Sequence, residues 1–380
     1  MNSEFFKLPK ELQYQMMKNI AIENTILLNY HSHFDHLKEE TQLKVLGING
    51  QFIKYLKNPN RKLQKKAIEQ DLSNFQFIDN PCDDIKGYVL LKEPEYFMFI
   101  KNPTIEDMKL AISVCPECIG MIDNPPVFIQ MKAVEYELSL ISEIIDPDYS
   151  VMEYVITQDP RQMENIFELP LDLTCKAIRL NSTCIQFVHE PSEELQNIAI
   201  TISPKSIQYI YNCTEFIQNK AVTLDYNCFT LIDNPYESTK LLTLNQKGIF
   251  IRYTVSPSEK LQLVAIRQDP DAFQYILDPC ESIQHYAIQM NSENFCYINN
   301  PSELIKSFAL EKNGLLIKYI INPSYSLKII AILQNPKSIE HIKNQNEYLH
   351  LKCIHDIYCL PFIRNPSKKV RQEIIKLHFS

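Results

Sequence analysis

Hydrophobic and polar positions along this chain repeat every 22 residues, and prolines mark the beat. Three successive segments show the pattern: PSEKLQLVAIRQDPDAFQYILD, PCESIQHYAIQMNSENFCYINN and PSELIKSFALEKNGLLIKYIIN. With the proline numbered zero, apolar residues recur at +4, +8 and +9, a spacing that lines one stripe of an α-helix. Position +8 is alanine in nine units: Ala67, Ala111, Ala133, Ala199, Ala221, Ala265, Ala287, Ala309 and Ala331. A second apolar group falls near +16 and +19, usually with an aromatic residue at +18. The period-3.6 stripe predicts a helix of about three turns. The second group predicts a shorter helix, of 3₁₀ type where it spans one to two turns.

The punctuation supports this division. Prolines stand at 59, 81, 103, 125, 147, 170, 191, 235, 257, 279, 301, 323 and 366, with Cys213 and Gln345 filling the two gaps in register. Leu37 opens a further unit without its proline, and Pro9 opens a longer one. Proline suits the first turn of a helix, and the Ser and Glu that follow it suit an N-terminus. Position +12 is often Asn or Asp, residues that tolerate a left-handed C-cap and can cap the next helix. Asn or Asp before the next proline ends the unit, where the ring disfavours further helix.

Neither helix can bury its stripe alone, so neighbouring units must stack, with alanine at +8 allowing close approach. The expected fold is all-α: a right-handed α-solenoid of about 17 two-helix repeats. Residues 1–36 read as an N-terminal capping repeat with a His-rich insertion, 37–366 as the tandem array and 367–380 as a capping helix. The pattern NPS-E-x-φ-x-x-x-A-I-x-x-N-x-x-x-I-x-Y-I resembles short Asn-Pro-type helical tandem repeats of unknown function from phages, large DNA viruses and microbes. It is also similar to leucine-rich variant and HEAT-like repeats. The resemblance implies a solenoid and no catalytic residue.

Composition narrows the classes. Only 6 glycines occur, too few for the turns and phosphate loops of a Rossmann, P-loop or β-sandwich protein. The 11 cysteines lack paired spacing, apart from Cys115 and Cys118, and several occupy apolar positions, such as Cys184, Cys296 and Cys353. They read as reduced thiols packed as small hydrophobes, hence a cytosolic or nuclear compartment, with a cytoplasmic chain as the expectation. No leader pattern and no apolar run of membrane length is evident.

One hexapeptide interrupts the pattern. His31-Ser32-His33-Phe34-Asp35-His36 has the look of a metallo-hydrolase ligand set. The step from Pro9 to Leu37 is 28 residues, and placing the excess at 31–36 makes the hexapeptide a polar loop inserted at a corner. A single zinc or nickel ion on His31, His33, Asp35 and His36 is the alternative, and a metal-dependent hydrolase the third reading.

Charge gives the strongest functional hint. Residues 101–200 carry a net charge of −11 and residues 301–380 a net charge of +6, within a total of −8. An acidic middle suits a basic partner, and extended repeat surfaces bind proteins. The expectation is a non-enzymatic protein-binding scaffold needing no cofactor, refined as a phage or viral factor that inhibits a host defence complex. Its partner would be a large protein with a basic surface, met by Glu106, Asp107, Glu135, Glu153, Glu164, Glu193 and Glu194 and by an exposed Gln186, Gln208 and Gln274 at +17. The alternative is a nucleic-acid-binding solenoid using the basic end: Lys318, Lys328, Arg364, Lys368, Lys369 and Arg371. The aromatic column at +18 reads as core or half-buried spacer, with base stacking as its other use.

Overall fold

A computed structural model describes residues 31–378 together with Pro9, Glu11, Leu12 and Gln15. The described residues are helical, and no strand occurs among them. Fifteen pairs of an α-helix and a 3₁₀ helix follow one another from Glu39 to Phe362, and the α-helix Lys368–His378 comes after them. The chain divides into two compact units, Met1–Phe187 and Val188–Ser380. Among the described residues of each unit, α-helices pack on the next α-helix and 3₁₀ helices on the next 3₁₀ helix, which gives two layers. The core lies between them.

The unit opening at Pro301 shows how residues set the boundaries. Pro301 lies just outside the helix, and Ser302 is its N-cap, accepting from the Ile305 N–H. The α-helix Glu303–Lys312 buries Ile305, Ala309 and Leu310, at +4, +8 and +9. Asn313 at +12 then caps the 3₁₀ helix Gly314–Tyr319 by accepting from the Leu315 N–H. The Ile320 N–H closes that helix onto the Ile317 carbonyl at 3.0 Å. These two end bonds help sustain a six-residue 3₁₀ segment, longer than the usual run.

Two details differ from the sequence reading. Position +12 is extended, with φ between −142° and −159° at Asn49, Asp71, Asp225, Asp269, Asn291 and Asn313. It therefore serves only as a cap. The left-handed residue is the one before the next proline position: Asn124, Asn212, Ser256, Asp278, Asn300, Asn322 and Asn365 have φ of 46–56°. Asn and Asp bear that conformation better than most side chains, although Ser256 and Glu190 adopt it as well and Asn80, Asn102, Asp146 and Asn234 do not.

The hexapeptide 31–36 is not an inserted loop. It forms a 3₁₀ helix that packs on the next one, Gly50–Tyr55. Phe34 is fully buried at the +16 place and meets the Phe52 ring edge-on at 5.6 Å. Gln42 Nε2 donates to the Phe34 carbonyl at 3.1 Å. Residues 16–30, and with them most of the expected capping segment 1–36, lie outside the described residues.

Consecutive repeats are joined by a buried glutamine at +5, a position the apolar pattern hides. Gln64 Nε2 donates to the Pro59 and Asn80 carbonyls, at 2.8 and 3.1 Å. Its Oε1 accepts from the N–H of Cys82, the residue after the next proline, at 2.9 Å. Gln130 makes the same bridge to Pro125 and Asp148, and Gln218 to Asn234 and Tyr236. Each amide satisfies backbone groups that the corner leaves open, which are costly to bury unpaired.

Candidate protein-interaction surface

The 3₁₀ layer carries three columns that the fold leaves outside. Position +17 is exposed at Gln76, Gln186, Gln208 and Gln274, as the sequence reading expects. Gln76 and Gln274 fold back, each donating to a carbonyl of its own 3₁₀ helix.

Position +18 departs from expectation in the second unit. Tyr253, Tyr275, Tyr297 and Tyr319 stand 22 residues apart and are 36–49% exposed, so they are not core. The +16 side chain already fills the core, and a six-residue 3₁₀ helix turns +18 away from it. Phe77 and Phe99, in the first unit, are half-buried.

The third column falls outside the apolar positions that the sequence reading uses. At +20 stand Ile145 and Phe167 in the first unit, and Tyr211, Val255, Leu277 and Ile321 in the second, all 84–90% exposed. Residue +19 is extended and buried, as at Ile276 and Ile320, so +18 and +20 flank it and face outward together. The signal was present: these apolar residues keep the 22-residue beat at a place no helix stripe requires. Earlier in the first unit the same column is charged with alternating sign: Lys57, Asp79, Lys101 and Asp123. Lys101 Nζ and Asp79 Oδ1 pair there at 2.6 Å.

The acidic residues do not form one face. Glu106, Glu135 and Glu153 lie on the outer side of the α layer of the first unit, and Glu193 and Glu194 at the start of the helix Glu193–Ile202 of the second. Glu153 is engaged by Lys176 at 2.9 Å, and Glu193 accepts from the Thr214 hydroxyl. Glu164 sits on a 3₁₀ helix, in the other layer. Asp107 leaves the set altogether. It is buried, its Oδ2 lies 2.8 Å from Lys86 Nζ, and it accepts from the Thr104 N–H and hydroxyl. Burial pushes its carboxyl up, but Lys86 and Thr104 outweigh that and hold it below the ordinary carboxylate range. Burial likewise pulls Lys86 down, while Asp107 and Asp83 raise it on balance.

The basic residues are dispersed too. Lys318 lies over the Tyr319 ring at 4.8 Å, and Lys328 is half-buried at the +5 place. The exposed Arg364 gives its backbone N–H to Gln345. Lys368, Lys369 and Arg371 share the last helix, where Lys369 pairs with Glu347 at 3.8 Å and Arg371 Nε donates to the Pro366 carbonyl.

Of the proposed metal ligands, Asp35 accepts from the Lys57 N–H at 3.3 Å and His36 is exposed. The side chains of His31 and His33 lie outside the described residues, and no metal-binding group of three occurs among those described. All 11 cysteines are free. Burial pushes Cys184 and Cys353 up to about 11 and Cys118 up to about 12, which keeps them protonated; Cys296, read as apolar filling, is exposed instead. No known family, curated protein or solved structure matches the chain.

Proposed function

We propose that this chain is a non-enzymatic scaffold that binds another protein through the exposed columns of its 3₁₀ layer. The observation that carries the reading is the +20 column: six large apolar side chains, each 84–90% exposed, at one repeat position. Single exposed apolar residues are ordinary on a protein surface, but their return at one repeat position is not, with Ile145 and Phe167 on successive repeats of the first unit and Val255 and Leu277 on successive repeats of the second; His189, Asp233 and Asn299 interrupt the series. The paired +18 tyrosines add large, stiff side chains of the kind that anchor interfaces. Seventeen right-handed repeats would extend such a row, in keeping with the long binding surfaces of repeat proteins.

The test compares variants rather than relying on capture alone. Proteins retained from a lysate at low salt by the wild-type chain should be lost with Val255→Asp combined with Leu277→Asp. They should persist with Glu135→Gln combined with Glu194→Gln on the α layer. Equal retention by the first pair would sink the reading, because both side chains project into solvent and their loss leaves the core intact.

A further inference from the structure

The tyrosine column of the second unit holds its own example of a ligand. The Arg252 guanidinium lies between two successive rings, its Cζ 4.7 Å from the Tyr253 centroid and 5.9 Å from that of Tyr275. Its Nη2 donates to the Tyr253 hydroxyl at 2.6 Å. One step between neighbouring tyrosines is therefore wide enough for a guanidinium held by two π faces.

The next two steps have the same rings but no such filling. Position +17 is Gln274 at one and Cys296 at the other. The Gln274 amide is turned back onto the Asp271 carbonyl. No cationic side chain lies over the Tyr297 ring among the described residues. Each step instead has a carboxylate beside it. Asp271 is exposed, and its charge acts on the Tyr297 hydroxyl; Glu293 is exposed, and its charge acts on the Cys296 thiol, opposed there by Lys318, which lies over the Tyr319 ring. Asn291 and Asn313 donate to these carboxylates at 3.4 and 2.9 Å and leave their outer oxygens to solvent. Aromatic faces with a carboxylate alongside attract cations and repel phosphate.

We propose that the Tyr275–Tyr297 and Tyr297–Tyr319 steps receive arginine side chains of a basic partner protein, each guanidinium entering as Arg252 does one step earlier, with Asp271 and Glu293 as counter-charges. The inference rests on the reading above in placing a protein on this layer, and adds the partner's chemistry. Arginine fits better than lysine because its planar, weakly hydrated head stacks on rings. Stacked helices lie about 8–10 Å apart. An extended chain covers that distance in about three residues. The recognised segment thus carries arginine at every third position.

The probe is a fluorescein-labelled peptide with arginine at every third residue and glycine and serine between, titrated at low salt against the full chain. Removing both central rings, Tyr275→Ala with Tyr297→Ala, should weaken binding about tenfold. Tyr275→Phe with Tyr297→Phe keeps the π faces and should stay within about twofold. Asp271→Asn with Glu293→Gln should weaken binding severalfold and flatten its salt dependence. Unchanged affinity in the double alanine variant overturns the proposal, as does equal binding of the matching lysine peptide. Tyrosine-dependent binding of a labelled oligothymidylate without binding of the peptide overturns it in favour of single-stranded nucleic acid. If the peptide fails while protein retention still depends on Val255 and Leu277, only this inference falls. If both fail, the scaffold reading falls with it.

Discussion

Two junctions in the first unit perform the same task with different chemistry. Between the repeats opening at Pro125 and Pro147, the neutral amide of Gln130 takes the Asp148 N–H on one side and gives to the Pro125 carbonyl on the other. Between those opening at Pro81 and Pro103, the +5 residue is Lys86, which has no acceptor to offer. The orphaned N–H is that of Thr104, and Asp107, one position before its own repeat's +5, turns its carboxylate back to take it. Lys86 then neutralises the carboxylate at 2.8 Å. Two departures from the repeat are thus one exchange: an amide that both donates and accepts is replaced by a donor and an acceptor on separate residues. The exchange puts two charges where the rest of the unit keeps none, and a buried pair is fragile when one partner goes.

The largest effect should come from breaking that pair on one side. Lys86→Ala should cost about 3–5 kcal/mol, because Asp107 is left charged and buried, and Asp107→Ala should cost less, because Asp83 still meets Lys86 at 2.8 Å. Gln130→Leu, which orphans neutral groups, should cost about 1–3 kcal/mol. Denaturant midpoints with unchanged slopes would check both, and equal losses at the two junctions would erase the distinction. Restoring the consensus is the sharper test. Lys86→Gln with Asp107→Ile should leave stability unchanged or raise it by up to about 3 kcal/mol, the gain being trimmed by half of a capping box. A loss of more than about 2 kcal/mol would mean that the pair stabilises on balance.

The smallest effect is in pH. Asp107 is held below its ordinary value, so its contribution is complete above about 3.8 and is lost as pH falls through its folded pKa. Lys86 is held above 10.5, so its contribution is complete below that and is lost as pH rises through its folded pKa. Melting scans of the wild type should therefore weaken at both extremes relative to the Lys86→Gln, Asp107→Ile chain, with no difference near neutrality in slope against pH. Parallel curves throughout would count against a charged pair.

The contrast also shows what a sequence can disclose here. The α-helix, its alanine and the 22-residue beat are legible because burial at +4, +8 and +9 leaves a period. The glutamine at +5 recurs as visibly in seven units, from Gln42 to Gln284, but its meaning lies in carbonyls and N–H groups of the corner, which no side-chain pattern exposes. Asp107 looked like surface because a carboxylate seldom goes inside, and only the backbone N–H of Thr104 and the ammonium of Lys86 explain why this one does. The apolar +20 residues have no part in the sequence reading, since composition cannot tell an anchor from a core side chain. The acidic middle was counted correctly, yet a count has no direction, and the two layers divide what the sum had gathered.

One corner has a wider consequence. Pro170 stands one residue past the 22-residue beat, with steps of 23 before it and 21 after, while Glu168 takes a left-handed φ of 53° at the corner and the helices Tyr149–Gln158, Leu171–Leu180 and Glu193–Ile202 still begin 22 residues apart. The following helix, Leu171–Leu180, still buries Leu173, Ala177 and Ile178 as its neighbours bury theirs. Where a residue is missing before Pro366, the nearest α-helix is the short Glu347–Cys353, of 7 residues rather than 10. The gene encoding this array can therefore shift a proline codon within a corner, or replace it as at Cys213 and Gln345, and keep every module in phase, whereas a deletion is charged to a helix.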